Sequence, residues 1–170
     1  MSTPKNDSIV LATTMNAIAG QLMKLDRPIL EREKDPYKGK ISLGLSFQAA
    51  ELALKSILKS LGWSNGKIRK HFGNHNLYRL AKGVASELEK SDNMEILKHS
   101  RFLLSTLEID GIKFRTTIGQ YLKIHFDEKD SSHRNYFYSD SPTFLLPSPP
   151  NLVHVIGEQL IQMAIAVENA

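Results

Sequence analysis

Large apolar side chains recur along this chain at steps of three and four, the period of one helix face. Leu11, Met15, Ile18, Leu22 and Leu25 form the first such stripe, with Asp7 or Ser8 placed to cap a helix. Pro28 makes a continuation awkward, and Asp35-Pro36 with Gly39 reads as a loop. Leu43, Phe47, Ala50, Leu54, Ile57 and Leu61 form the clearest stripe, which Leu45, Leu52 and Leu58 widen. That width predicts a central core helix, and Gly62 stands where it stops.

Trp63 to Gly73 reads as a basic loop. A third helix is expected from about Asn76 to Lys90, with Leu77, Leu80, Ala81, Val84 and Leu88 inward. A fourth starts near Ser91 or Asp92, carries Leu97, Ser100, Leu104 and Leu107 on one face, and breaks at Asp110-Gly111. A fifth piece covers about Lys113 to Phe126, with Phe114, Ile118 and Tyr121 inward. Residues 127–150 turn rich in Ser, Asp, Pro and aromatics, a long connection of the kind that is often functional. After Pro149-Pro150 a last helix is expected to bury Leu152, Val155, Ile156, Leu160, Met163 and Val167. The pattern predicts an all-α fold with no strand alternation and no internal repeat.

At 170 residues the chain can bury one real core. It has no cysteine, which excludes disulfides and thiolate chemistry. The polar N-terminus lacks the layout of a signal peptide. No uninterrupted apolar run approaches the roughly 20 residues that span a bilayer, so a cytoplasmic location is expected.

Charge changes the picture most. Leu52 to Ser86 contains no Asp or Glu but seven cations: Lys55, Lys59, Lys67, Arg69, Lys70, Arg79 and Lys82. The block is formally +7 in a chain of net charge +4. Such one-sided charge concentrates phosphates near it. Lys67, Arg69, Lys70, His71, His75 and Arg79 are therefore the candidate nucleic-acid contacts, with Phe72 as an interleaved aromatic. A solvated linker is the plainer reading of the same loop. His71 and His75 have no acidic neighbour in sequence, so no metal site is expected. No cofactor motif is present. Glu51 is expected to pair with Lys55 one helical turn away.

The run Ser46-Phe-Gln-Ala-Ala-Glu-Leu-Ala-Leu-Lys-Ser-Ile-Leu-Lys-Ser-Leu-Gly62 resembles the first core helix of HEPN domains. His75-Asn-Leu77-Tyr-Arg-Leu80 resembles the opening of that family's next helix, and His133-Arg134-Asn135-Tyr136-Phe137-Tyr138 its aromatic turn before the last helix. The resemblance covers roughly residues 40–170 and sets residues 1–39 apart as an added N-terminal helix and loop. It implies an up-and-down bundle of five to six helices, usually a homodimer. It also implies association with RNA or a nucleotide, often in toxin–antitoxin or defence systems. A nucleotidyltransferase or antitoxin is then the expected protein partner.

Catalytic HEPN members resemble metal-independent ribonucleases with an Arg-x4–6-His motif. Arg134-Asn135 matches its start, but the His would fall at Ser139, Asp140 or Ser141. The motif is incomplete, which leaves catalytic competence open. If cleavage occurs, Arg134 is the candidate cation, His133 the base or acid, and Asn135 the phosphate orienter. Tyr136 and Tyr138 are candidates to stack on a base. Arg69 and His75 have the same motif's spacing, in a loop where the family does not usually place it. A non-catalytic interaction module and an active endoribonuclease remain the alternatives.

Overall fold

The computed structural model describes residues 6–24, 36–73, 75–109, 111–126 and 151–170. The fold is mostly helical. The described residues form helices α1 (Asp7–Lys24), α2 (Pro36–Ser60), α3 (Asn65–Phe72), α4 (Leu77–Leu88), α5 (Met94–Leu97), α6 (Ile118–Phe126) and α7 (Asn151–Glu168), with one hairpin, β1 (Thr106–Ile109) and β2 (Ile112–Thr117), between α5 and α6. The expected division at residues 39 and 40 falls inside α2.

Helix α2 is the centre, touching α1, α4 and α7. Leu43, Phe47, Ala50, Leu54, Ile57 and Leu58 are all buried, as their spacing requires. Ile41–Ser60 within it has a mean hydropathy of 1.2, long and apolar enough to cross a membrane, although Glu51, Lys55 and Lys59 interrupt the run. Most of that stretch is buried against the other helices. Pro36 opens α2 instead of sitting in a loop. Proline suits a first turn, where its missing N–H costs no helix hydrogen bond.

The core faces of α4 and α7 follow their periodicity. Leu77, Leu80, Ala81, Val84 and Leu88 are fully enclosed, and Leu152, Ile156, Leu160, Met163 and Val167 on α7 are buried, with Val153, Ile161 and Ala164 beside them. Val155 is only half-buried. Asn76 caps α4, its side-chain oxygen accepting from the Arg79 backbone N–H at 2.8 Å.

Three further expectations are corrected. The first concerns α1, which is capped by Asn6 through the Ser8 N–H. Its Leu11 and Ile18 face outward, and Ile9, Ala12, Asn16 and Ala19 are buried instead. Small residues win because α1 lies close against α2 and α7. Ser42 of α2 donates to the Ala19 carbonyl at 2.9 Å, and the Asn16 amide donates to the His154 carbonyl at 3.3 Å. Helix α1 runs antiparallel to α2, since Lys59 reaches Ser8 near the opposite end.

The second correction is the expected fourth helix. It amounts to one turn, α5, followed by a 3-10 turn at Phe102–Leu104 and then the hairpin, and the expected fifth helix begins only at Ile118 because residues 113–117 belong to β2. Asn93 caps α5, not Ser91 or Asp92. Thr106-Leu-Glu-Ile and Ile112-Lys-Phe-Arg-Thr-Thr are rich in β-branched residues flanking Asp110-Gly111, a strong hairpin signal. Gly111 takes the φ of 78° that such a turn needs. Glu108 pairs opposite Lys113, with a bulge between Thr106 and Glu108. Leu107 is fully buried while Leu104 is 70% exposed, so the two do not share a helix face.

The third correction is the basic loop, which is the helix α3. Ser64 caps it, accepting from the Lys67 N–H at 3.2 Å, and Gly73 closes it.

Candidate basic interface

Helix α3 gives one residue to the core. Ile68 is 1% exposed, while Lys67, Arg69, Lys70 and His71 all face solvent. With eight residues and no acid, α3 is too polar to stand alone. It is anchored at both ends by aromatics. The Trp63 and Phe72 rings lie 5.2 Å apart, and His71 meets Trp63 edge-on at 5.3 Å. The Lys67 ammonium sits 3.9 Å from the Trp63 ring centroid, a cation–π contact.

Trp63 is itself held from α4, its indole N–H donating to Glu87 at 3.2 Å. The hydrogen bond from Lys90 holds the Glu87 carboxyl below its ordinary range; the Trp63 N–H and the charge of Lys67 add to this. Phe72 completes the joint. Its ring lies so close to Gly83 of α4 that a Cβ there would overlap Cε1 and Cζ. Glycine at this position is what lets α3 sit against α4. Arg79 and Lys82 flank Gly83 on the exposed side of α4, so the cations of both helices border the same joint.

The seven-cation block divides accordingly. Lys55 binds Glu51 at 2.5 Å, as its spacing predicts, and Lys59 turns toward Ser8. Lys67, Arg69, Lys70, Arg79 and Lys82 stay exposed. Arg69 and Lys70 have no carboxylate within ion-pair distance among the described residues.

At one edge of this face stands a pairing that the sequence analysis missed. Nδ1 of His75 lies 3.1 Å from Oε2 of Glu51, whose side chain is only 10% exposed. A carboxylate accepting at Nδ1 places the proton of a neutral imidazole there and leaves Nε2 as the acceptor. His75 is therefore a positioned, partly exposed imidazole at the edge of the cationic face. A signal existed in the sequence: Glu51 lies on the inward stripe one turn from Phe47 and Leu54, where an acid requires partners.

Arg134, His133, Asn135, Tyr136 and Tyr138 lie outside the described residues. Among the described residues no group of three or more His, Asp or Glu side chains is arranged to hold a metal ion. His99 stands apart, lining a cleft of about 550 Å³ between α7 and the segment before β1. No family model, no curated protein and no solved structure matches this chain.

Proposed function

We propose that this chain is a HEPN-like, up-and-down helical protein of the cytoplasm that binds RNA or a nucleotide through the α3–α4 face. One observation carries the reading: α3 buries a single side chain and presents three cations and a histidine to solvent. An eight-residue helix held against the core by Trp63 and Phe72 is a rigid mount for those charges. Arg69 and Lys70 meet phosphates, Arg79 and Lys82 extend the positive track, and His75 sits at its edge. Fixed cations of this kind bind through counterion release, so affinity depends steeply on salt and weakly on base sequence. Membership of a toxin–antitoxin or defence system, with a nucleotidyltransferase or antitoxin as partner, follows from the HEPN resemblance alone.

Fluorescence anisotropy with a labelled single-stranded RNA tests the reading. Affinity should fall by about tenfold or more between roughly 50 and 200 mM salt. The triple variant K67E/R69E/K70E should lose most of the binding and flatten the salt slope. A charge reversal at Lys98, which pairs with Glu95 on α5, should change little. Absence of salt-sensitive binding at low ionic strength, to RNA and to a nucleoside triphosphate alike, overturns the reading.

A further inference from the structure

The cleft beside His99 is built differently from the basic face. It measures about 550 Å³ and lies between α7, the 3-10 turn and the first residue of α6. Small-molecule sites fall in this size range and share a plan, an apolar floor with a few polar groups set around it. Ile118, Leu160 and Met163 are buried and supply the floor, and the Phe102 ring borders it half-buried. Glu158 and Gln162, one helical turn apart, stand on α7 with Gln159 beside them. His99 and Ser105 stand on the segment before β1.

The fold makes no use of these polar side chains. None of the five makes a side-chain hydrogen bond to another described residue. Among the described residues Glu158 has no Lys or Arg within ion-pair distance, and no Lys or Arg lines the cleft. Burial lowers the pKa of His99, with the charge of Lys98 adding to the effect, so the ring brings no positive charge to the wall at neutral pH. The cleft therefore carries a single charge, negative, over an apolar floor.

We propose that this cleft binds a small aromatic amine, whose ring lies on the floor and whose ammonium group pairs with Glu158. A phosphate or carboxylate ligand would meet Glu158 with no cation in the cleft to offset it. A wholly apolar ligand would take water from the carboxylate and the two Gln amides and return nothing. An ammonium ion returns three N–H donors. An aromatic ring gains more here than an aliphatic chain, because it meets the Phe102 ring and the Met163 thioether, and both contacts are attractive. The site uses none of the cations of α3 and α4, so the inference stands apart from polyanion binding.

Tryptamine is the probe, an indole ring with a primary amine, and indoleacetate carries the same ring with the opposite charge. In protein labelled with ¹³C at the methionine methyl groups, tryptamine should move the Met163 signal in a saturable titration, because the indole ring current acts on a methyl at the floor. Met163→Leu identifies that signal. Met94, 72% exposed and outside the lining, is the internal control and should stay still. Glu158→Gln should weaken tryptamine binding by about fivefold or more. Ser105→Trp, at an exposed position, should abolish it by filling the cleft. Both variants should keep the wild-type melting curve. No saturable Met163 shift at up to about 10 mM tryptamine overturns the inference. Indoleacetate binding as tightly as tryptamine, or an unchanged affinity in Glu158→Gln, removes the amine and equally overturns it. Binding that Ser105→Trp leaves intact lies outside the cleft and does the same.

Discussion

His75 and Glu51, 24 residues apart, meet at 3.1 Å between the segment leading into α4 and the middle of α2. Glu51 also holds Lys55 at 2.5 Å. A nearly enclosed carboxylate with two donors ties the start of α4 to the central helix and fixes the histidine ring.

Glu51→Ala removes the shared acceptor, and both donors are exposed enough to regain water. The expected loss is about 1–3 kcal/mol in urea unfolding. Glu51→Gln keeps one acceptor oxygen and should cost less. If Glu51→Ala unfolds at the wild-type midpoint, the pairing contributes nothing to the fold and the position of His75 is set by its backbone.

Gly83→Ala drives a methyl group into the Phe72 ring. Overpacking of this kind costs about 1–3 kcal/mol. Phe72→Ala removes the obstacle, so the double variant should cost less than the two single changes together. Additive losses in chemical denaturation would mean that the two positions do not touch. On the proposed function, Gly83→Ala should also weaken RNA binding, because it displaces the helix that carries the cations.

Leu54 and Leu107 are both fully buried, whereas Leu104 is 70% exposed. Leu54→Ala and Leu107→Ala should each cost about 2–5 kcal/mol. Leu104→Ala should stay within about 0.5 kcal/mol of wild type. Equal effects at Leu104 and Leu107 would restore the single helix face that their spacing suggests and remove the hairpin.

Burial lowers the pKa of His99, with the charge of Lys98 adding to the effect, and burial alone lowers that of His125. Both imidazoles bind a proton more readily in the unfolded chain, so the stability they contribute is fully present above about pH 6.5, the ordinary imidazole value. It is lost as pH falls below that value. Unfolding midpoints should therefore decline from pH 7 to pH 5, and H99Q/H125Q should flatten the decline. A slope unchanged in the double variant would assign it to other groups.

Helices α2, α4 and α7 were legible from the sequence because each buries large residues at helical spacing and has no competing face. Leu54, Leu80 and Leu160 can go nowhere but inward without exposing a broad apolar stripe. The exposure of Arg69, Lys70 and Lys82 was equally legible, since five or more cations without a carboxylate cannot leave water together. Periodicity says which residues share a face; it does not say which face a neighbour will cover. On α1 the answer turned on how closely α2 and α7 approach, and Ala12, Asn16 and Ala19 displaced Leu11 and Ile18 from the core. Short elements escaped for a related reason. Helix α3 and the two strands carry too few residues for a period to show, so only the Asp110-Gly111 turn chemistry marked the hairpin, and contacts from distant positions stabilise both elements: Phe72 on Gly83, and Leu107 enclosed in the core. The meeting of Glu51 with His75 needed the turn between α3 and α4 to fold back on α2. Chain separation hides such contacts, and only the packed structure brings the two side chains within hydrogen-bond reach.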